Sequence, residues 1–80
     1  MLRRIFKMFI VSNNTLFNLD KIEFIRINKN NITIGLANRN YLLKYENEDL
    51  AKKAFSKIRV AITKNSSIVD ISENKLEEVI

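Results

Sequence analysis

Three asparagine-rich breaks constrain this chain more than any other feature. "SNNT" at 12–15, "NKNN" at 28–31 and "ANRN" at 37–40 interrupt runs of Ile, Phe, Leu and Tyr at short intervals. With one glycine and no proline in 80 residues, asparagine must form the turns. It can do so because it tolerates left-handed backbone and hydrogen-bonds its own turn. Short apolar runs separated by such breaks predict hairpins joined in a meander.

The runs differ in their faces. Residues 4–11 are apolar on both sides, with Ile5 and Phe9 on one and Phe6, Met8 and Ile10 on the other. That pattern fits a central strand or one covered by a partner. Residues 15–19 put Phe17 and Leu19 together. Residues 21–28 begin with Ile22 and Phe24 in phase, then switch to Ile25 and Ile27, so a bulge is expected near Phe24 and Ile25. Residues 31–37 alternate cleanly, with Ile32, Ile34 and Leu36 on one face. Residues 41–46 place Tyr41, Leu43 and Tyr45 together.

The period then changes. Asn47 is a suitable N-cap, and Glu48 and Asp49 follow where the helix dipole favours negative charge. At 100° per residue, Leu50, Ala51, Ala54, Phe55, Ile58, Ala61 and Ile62 fall in one arc, the expected core face, with Phe55 and Ile58 buried at its middle. Residues 67–72 read as a last short strand, and residues 73–80 fit either a helix or a strand extension. The fold class expected is α+β: an antiparallel β-meander of four or five strands, one packed amphipathic helix and a short C-terminal element.

Residues 1–80 make a single small domain. Residues 1–7 also read as an upstream extension, with Met8 as the start. No disulfide or Cys/His zinc site supports the core, because the chain has neither Cys nor His. The same absence removes the Ser-His-Asp triad and thiol nucleophiles. Gly35, the only glycine, leaves no glycine-rich phosphate loop. A non-enzymatic protein without a cofactor or metal is expected. No run reaches the roughly 18 apolar residues of a membrane span. "MLRRIFKMFIV" is broken by Lys7 and has no cleavage site, so it is not read as a signal peptide. A cytoplasmic, non-membrane protein is expected. The 12 Ile, 11 Asn and 9 Lys are residues of A/T-rich codons, common in small proteins of A/T-rich bacteria, their plasmids and their phages.

Net charge is +5, set as a basic body with an acidic tail, in which Asp70, Glu73, Glu77 and Glu78 oppose Lys75. Two clusters are candidate anion-binding residues. On the helix, Lys53, Lys57 and Lys64 lie nearly in line outside the apolar arc, with Lys52 and Arg59 nearby. Such a row can contact phosphates or hold one anionic ligand. The plainer reading is a solvated face, with Glu48–Lys52 and Asp49–Lys53 as favourable i,i+4 pairs. On the sheet, Arg39 and Lys44 lie beside Tyr41 and Tyr45, as in surfaces that stack bases. The plainer reading puts both tyrosines in the core. A third set, Ile5, Phe6, Met8, Phe9, Ile10, Leu76, Val79 and Ile80, is more apolar surface than a small domain readily covers, and self-association into a homo-oligomer is expected from it.

Three functions follow as expectations. The first is a non-catalytic binding protein that sequesters or blocks a partner, either a protein or a small anionic nucleotide. A phage or mobile-element inhibitor of a bacterial defence system is one concrete form. The alternatives are a basic nucleic-acid-binding module and a structural subunit of a larger assembly.

Overall fold

The computed structural model describes residues 8–72 and 74–79. The fold is α+β, with strands β1 (Phe9–Ser12), β2 (Thr15–Asn18), β3 (Ile22–Asn28), β4 (Asn31–Leu36) and β5 (Asn40–Lys44), helix α1 (Glu48–Thr63), then β6 (Ile68–Asp70) and β7 (Lys75–Val79). The strands form two sheets. One is four-stranded, in the order β3-β4-β5-β7, and every pairing in it is antiparallel. The other is three-stranded, in the order β2-β1-β6, and its β1–β6 pairing is parallel. Within the larger sheet β3, β4 and β5 form an antiparallel meander, to which β7 adds beside β5. The segment 75–79 is a strand paired with β5, which resolves the helix-or-strand alternative for that stretch. The second sheet and its parallel pair were not anticipated.

Asparagine does form turns. Asn13 is left-handed (φ 56°) between β1 and β2, and Asn65 is left-handed (φ 56°) after α1. Around Asn65 the Ser66 N–H donates to Ala61 O at 2.9 Å, and the Asn65 N–H donates to Ile62 O at 3.3 Å. This Schellman arrangement ends the helix. In "NKNN", however, Lys29 takes the left-handed position (φ 55°). Asn30 instead ties the turn to β5: its Nδ2 donates to Tyr45 O, and its carbonyl accepts from the Tyr45 N–H, both at 2.8 Å. Asn47 caps α1, accepting from the Leu50 N–H at 2.9 Å.

The bulge lies where the phase switch placed it. Ile22 opposes Leu36 but Phe24 opposes Gly35, so Glu23 is the extra residue. Directly opposed residues share a face. Ile22, Ile25 and Ile27 therefore join Ile32 and Ile34 on the inner face, while Phe24 and Arg26 turn to the outer one. There the Phe24 ring covers Gly35, whose missing Cβ leaves it room, and the Arg26 guanidinium sits 5.0 Å from the ring centroid.

Helix α1 packs against β3, β4 and β6. Its buried face is Ala51, Ala54, Ile58 and Ala61. The expected arc was too wide. Phe55 is only half-buried, and Ile62 is 45% exposed. Phe55 and Leu50 pack against the margin of the core, and Ile62 lies beyond it. Ile10, Ile32, Ile34, Leu43, Ile58 and Ile71 form the centre of the core.

Contacts between side chains and backbone join the two sheets. Phe17 of β2 meets Tyr41 of β5 edge-to-face with centroids 5.1 Å apart. The buried Tyr45 hydroxyl donates to Ile71 O at 2.8 Å and accepts from Asn74 Nδ2 at 3.2 Å. The Ser12 hydroxyl, buried at the end of β1, donates to Asn74 Oδ1 at 2.9 Å. Burial pushes the Tyr45 phenol from its ordinary value of 10.0 up to about 12, with the Asn74 hydrogen bond acting in the opposite direction.

Candidate binding groove

The lysine row of α1 forms one wall of a groove. Helix α1 and β6 run side by side, joined by the tight turn at 64–67. The space between them is an open groove of ≈ 860 Å³, with Lys52, Lys53, Lys57 and Lys64 against the single acidic residue Asp49, and with Val60, Ala61, Ile68 and Val69 as apolar surface. That volume lies within the roughly 300–1,000 Å³ usual for ligand clefts. A smaller hollow of ≈ 400 Å³ continues it toward Tyr45, Asp70 and Ser72 and shares Lys53 and Lys57.

Its electrostatics are uneven along its length. The Lys64 end carries no carboxylate among its lining residues. At the other end Asp70 lies beside Lys57. The Asp70 carboxylate accepts from the Ser72 hydroxyl at 2.6 Å and from the Ser72 N–H at 2.9 Å. These two bonds, with a smaller contribution from Lys57, hold its carboxyl below the ordinary value. Asp70 thus offsets part of the positive charge of Lys53 and Lys57, while Lys64 stands away from it.

The five anion-binding candidates divide. Lys53, Lys57 and Lys64 come together along this groove. Arg39 and Lys44 do not line it. Arg39 lies in the β4–β5 turn, where its carbonyl accepts from the Leu36 N–H at 2.8 Å. Lys44 lies opposite Asn31 and Lys75 and borders a separate hollow with Asn30, Glu46 and Asn74. Both belong to the β4–β5 hairpin of the larger sheet, not to the α1–β6 pair. The neighbouring tyrosines are not a stacking platform: Tyr45 is 4% exposed, and the half-buried Tyr41 packs on Phe17. The exposed-face aromatic is Phe24, already covered by Arg26.

Of the self-association set, Met8 (3% exposed) and Ile10 (0%) lie in the chain's own core, and Phe9 is half-buried. Intramolecular packing therefore accounts for Met8 and Ile10 without a second copy. Leu76 stands opposite Leu43, and Val79 opposite Asn40, in the β5–β7 ladder. Ile5, Phe6 and Ile80 lie outside the described residues.

Among the described residues no group of Asp and Glu is placed to hold a metal ion, and no helix is long and apolar enough to cross a membrane. Sequence reasoning missed Val60, Ile68 and Val69 as groove residues. Val60 lies outside the apolar arc of α1, and Ile68 begins a run whose pairing partner lies at the other end of the chain. Comparison with known proteins finds no matching family model, no matching curated protein and no matching solved structure.

Proposed function

We propose that this chain is a non-catalytic binding protein that acts by occupancy, sequestering or blocking an anionic partner held in the groove between α1 and β6. The observation that supports this most directly is the convergence of Lys53, Lys57 and Lys64 on one cleft with an apolar floor. A merely solvated lysine face has no need of a cleft beside it. Desolvated apolar surface supplies affinity, and the lysines supply selection by charge and faster encounter. The composition supports an origin in a phage or mobile element of an A/T-rich bacterium, acting in the cytoplasm against a host defence component. A nucleic-acid-binding role draws less support, since both tyrosines that suggested stacking pack inward.

The test is a panel of anions read by thermal shift and fluorescence anisotropy: poly-L-glutamate, a nucleoside triphosphate and a single-stranded oligonucleotide. At least one should bind in a salt-sensitive way and raise the melting temperature by mass action. The triple change Lys53→Glu, Lys57→Glu, Lys64→Glu should abolish that binding and leave the melting temperature of the free chain nearly unchanged. No binding at physiological salt, or equal binding by the triple variant, would overturn the reading.

A further inference from the structure

One side of the groove is a bare strand edge. β6 is the outermost strand of the three-stranded sheet, and among the described residues no strand lies beyond it. The Phe9 N–H donates to Ser67 O at 3.0 Å, and the Ile71 N–H donates to Val11 O at 2.8 Å. Successive residues of a strand direct their peptide groups to opposite edges. Ser67, Val69 and Ile71 therefore face β1, while Ile68 and Asp70 turn their N–H and C=O groups outward. Alongside this edge runs α1, with Lys64 toward Ile68, and Lys53 and Lys57 toward Asp70. From Asp49 to Lys64 the helix covers about 22 Å at its rise per residue. That is room for about six or seven residues of extended chain. Val60 is 50% exposed and Ile68 is 60% exposed, so the trough also offers apolar surface.

These features select among anions. None of the residues lining the larger part of the groove is aromatic, so it provides no platform for stacked bases. None is arginine, so it lacks the planar fork that grips phosphate bidentately. Unpaired backbone donors and acceptors, by contrast, suit another polypeptide.

Resting on the groove reading above, we propose that the occupant is an extended acidic polypeptide segment, which adds to the three-stranded sheet as a further strand alongside β6. Its backbone pairs with the outward groups of Ile68 and Asp70. Its carboxylates meet Lys53, Lys57 and Lys64, and its intervening apolar side chains cover Val60 and Ile68. Asp70 disfavours an acidic residue directly opposite itself. The carboxylates therefore concentrate toward the Lys64 end.

The probe is an acetylated, amidated seven-residue peptide alternating Glu and Val, with two N-methylated versions carrying methyls on one or the other alternate set of amides. Each is titrated into the isotope-labelled full chain and followed by amide shifts. The parent peptide should bind and move the Ile68 and Asp70 amides most. One methylated version should lose about tenfold or more in affinity, because its edge-facing donors are gone, and the other should bind nearly as the parent does. Ile68→Pro removes one outward N–H that no β1 bond uses, and it should weaken the parent peptide by about fivefold or more. Suppose instead that both methylated versions bind like the parent and the β6 amides do not move, while the triple lysine variant still fails to bind. The strand-addition proposal then falls and the groove reading stands. Displacement of the peptide by a tighter-binding oligonucleotide would also overturn it. Binding by neither the peptide nor any anion of the panel would overturn both.

Discussion

The two sheets are built from strands at very different separations in the chain. In the larger one, β3, β4 and β5 follow one another through the turns at 29–30 and 37–39, and each strand pairs with the next. In the smaller one, β1 at residues 9–12 pairs with β6 at residues 68–70. Parallel strands need a crossover connection, and here the crossover is the entire meander plus the helix. Within the larger sheet the β3-β4-β5 meander is local, set by alternation and turn chemistry, while β7 joins β5 from beyond α1 and β6. In the smaller sheet β1 and β2 form a tight hairpin, and only β6 comes to β1 from across the meander and α1. The candidate groove lies beside that long-range pairing, bounded by β6 and by the helix that precedes it.

If α1 is what couples the two sheets, removing its central contact should destabilise both together. Ile58 is 2% exposed in the middle of the helix face. Ile58→Ala should cost about 2–5 kcal/mol in urea-induced unfolding, comparable with the whole stability of a small domain. The half-buried Phe55 should cost less when truncated, about 1–3 kcal/mol. Loss of the β6 signals alone in Ile58→Ala, with the meander intact, would show that the sheets are independent.

Tyr45 tests a narrower link, between β5 and the segment after β6. Tyr45→Phe removes the hydroxyl that bonds Ile71 O and Asn74, and should cost about 1–2 kcal/mol. It also has a pH signature. The folded phenol titrates at about 12 against an ordinary value of 10.0. Above pH 10 the unfolded chain loses this proton while the folded chain keeps it. The contribution of Tyr45 is therefore complete below pH 10 and disappears as the pH rises toward 12. Equilibrium unfolding across that window should show the loss in the parent chain and not in Tyr45→Phe.

Within the larger sheet, a Cβ at Gly35 would overlap the Phe24 ring. Gly35→Ala should therefore cost about 1–2 kcal/mol as the ring is displaced from its place under Arg26. The smallest effect is expected at the left-handed Lys29. Lys29→Asn should stabilise the chain by about 0.5–1 kcal/mol, since asparagine tolerates that backbone better. Both changes are local to the meander and should leave the shifts of β6 unmoved. A response in β6 would blur the distinction between the sheets.

Legibility in the sequence follows the same division. The α+β class, the asparagine turns, the Phe24 bulge and the Asn47 cap are set by neighbours a few residues away, and each is readable from spacing. So was the alignment of Lys53, Lys57 and Lys64, which helical periodicity alone dictates. What they face was not readable, because it depends on β6 finding β1 across most of the chain. The width of the helix contact was not readable either: Phe55 packs against the margin of the core, and Ile62 lies beyond it. Arg39 and Lys44 were marked as anion-binding by their charge and their neighbouring tyrosines, and neither carries information about which surface the side chains reach.

Among the described residues, β6 is joined to β1 along one edge and open along the other. Residue-resolved amide hydrogen exchange on the free chain tests it directly. The account predicts alternation: Val69 and Ile71 protected by β1, and Ile68 and Asp70 exchanging at close to the rate of an unstructured chain. Uniform protection across residues 68–71 would mean that something already covers the edge. Uniform exchange would mean that β6 is not part of the sheet. Either result would overturn the assignment of β6 as a strand with one open edge.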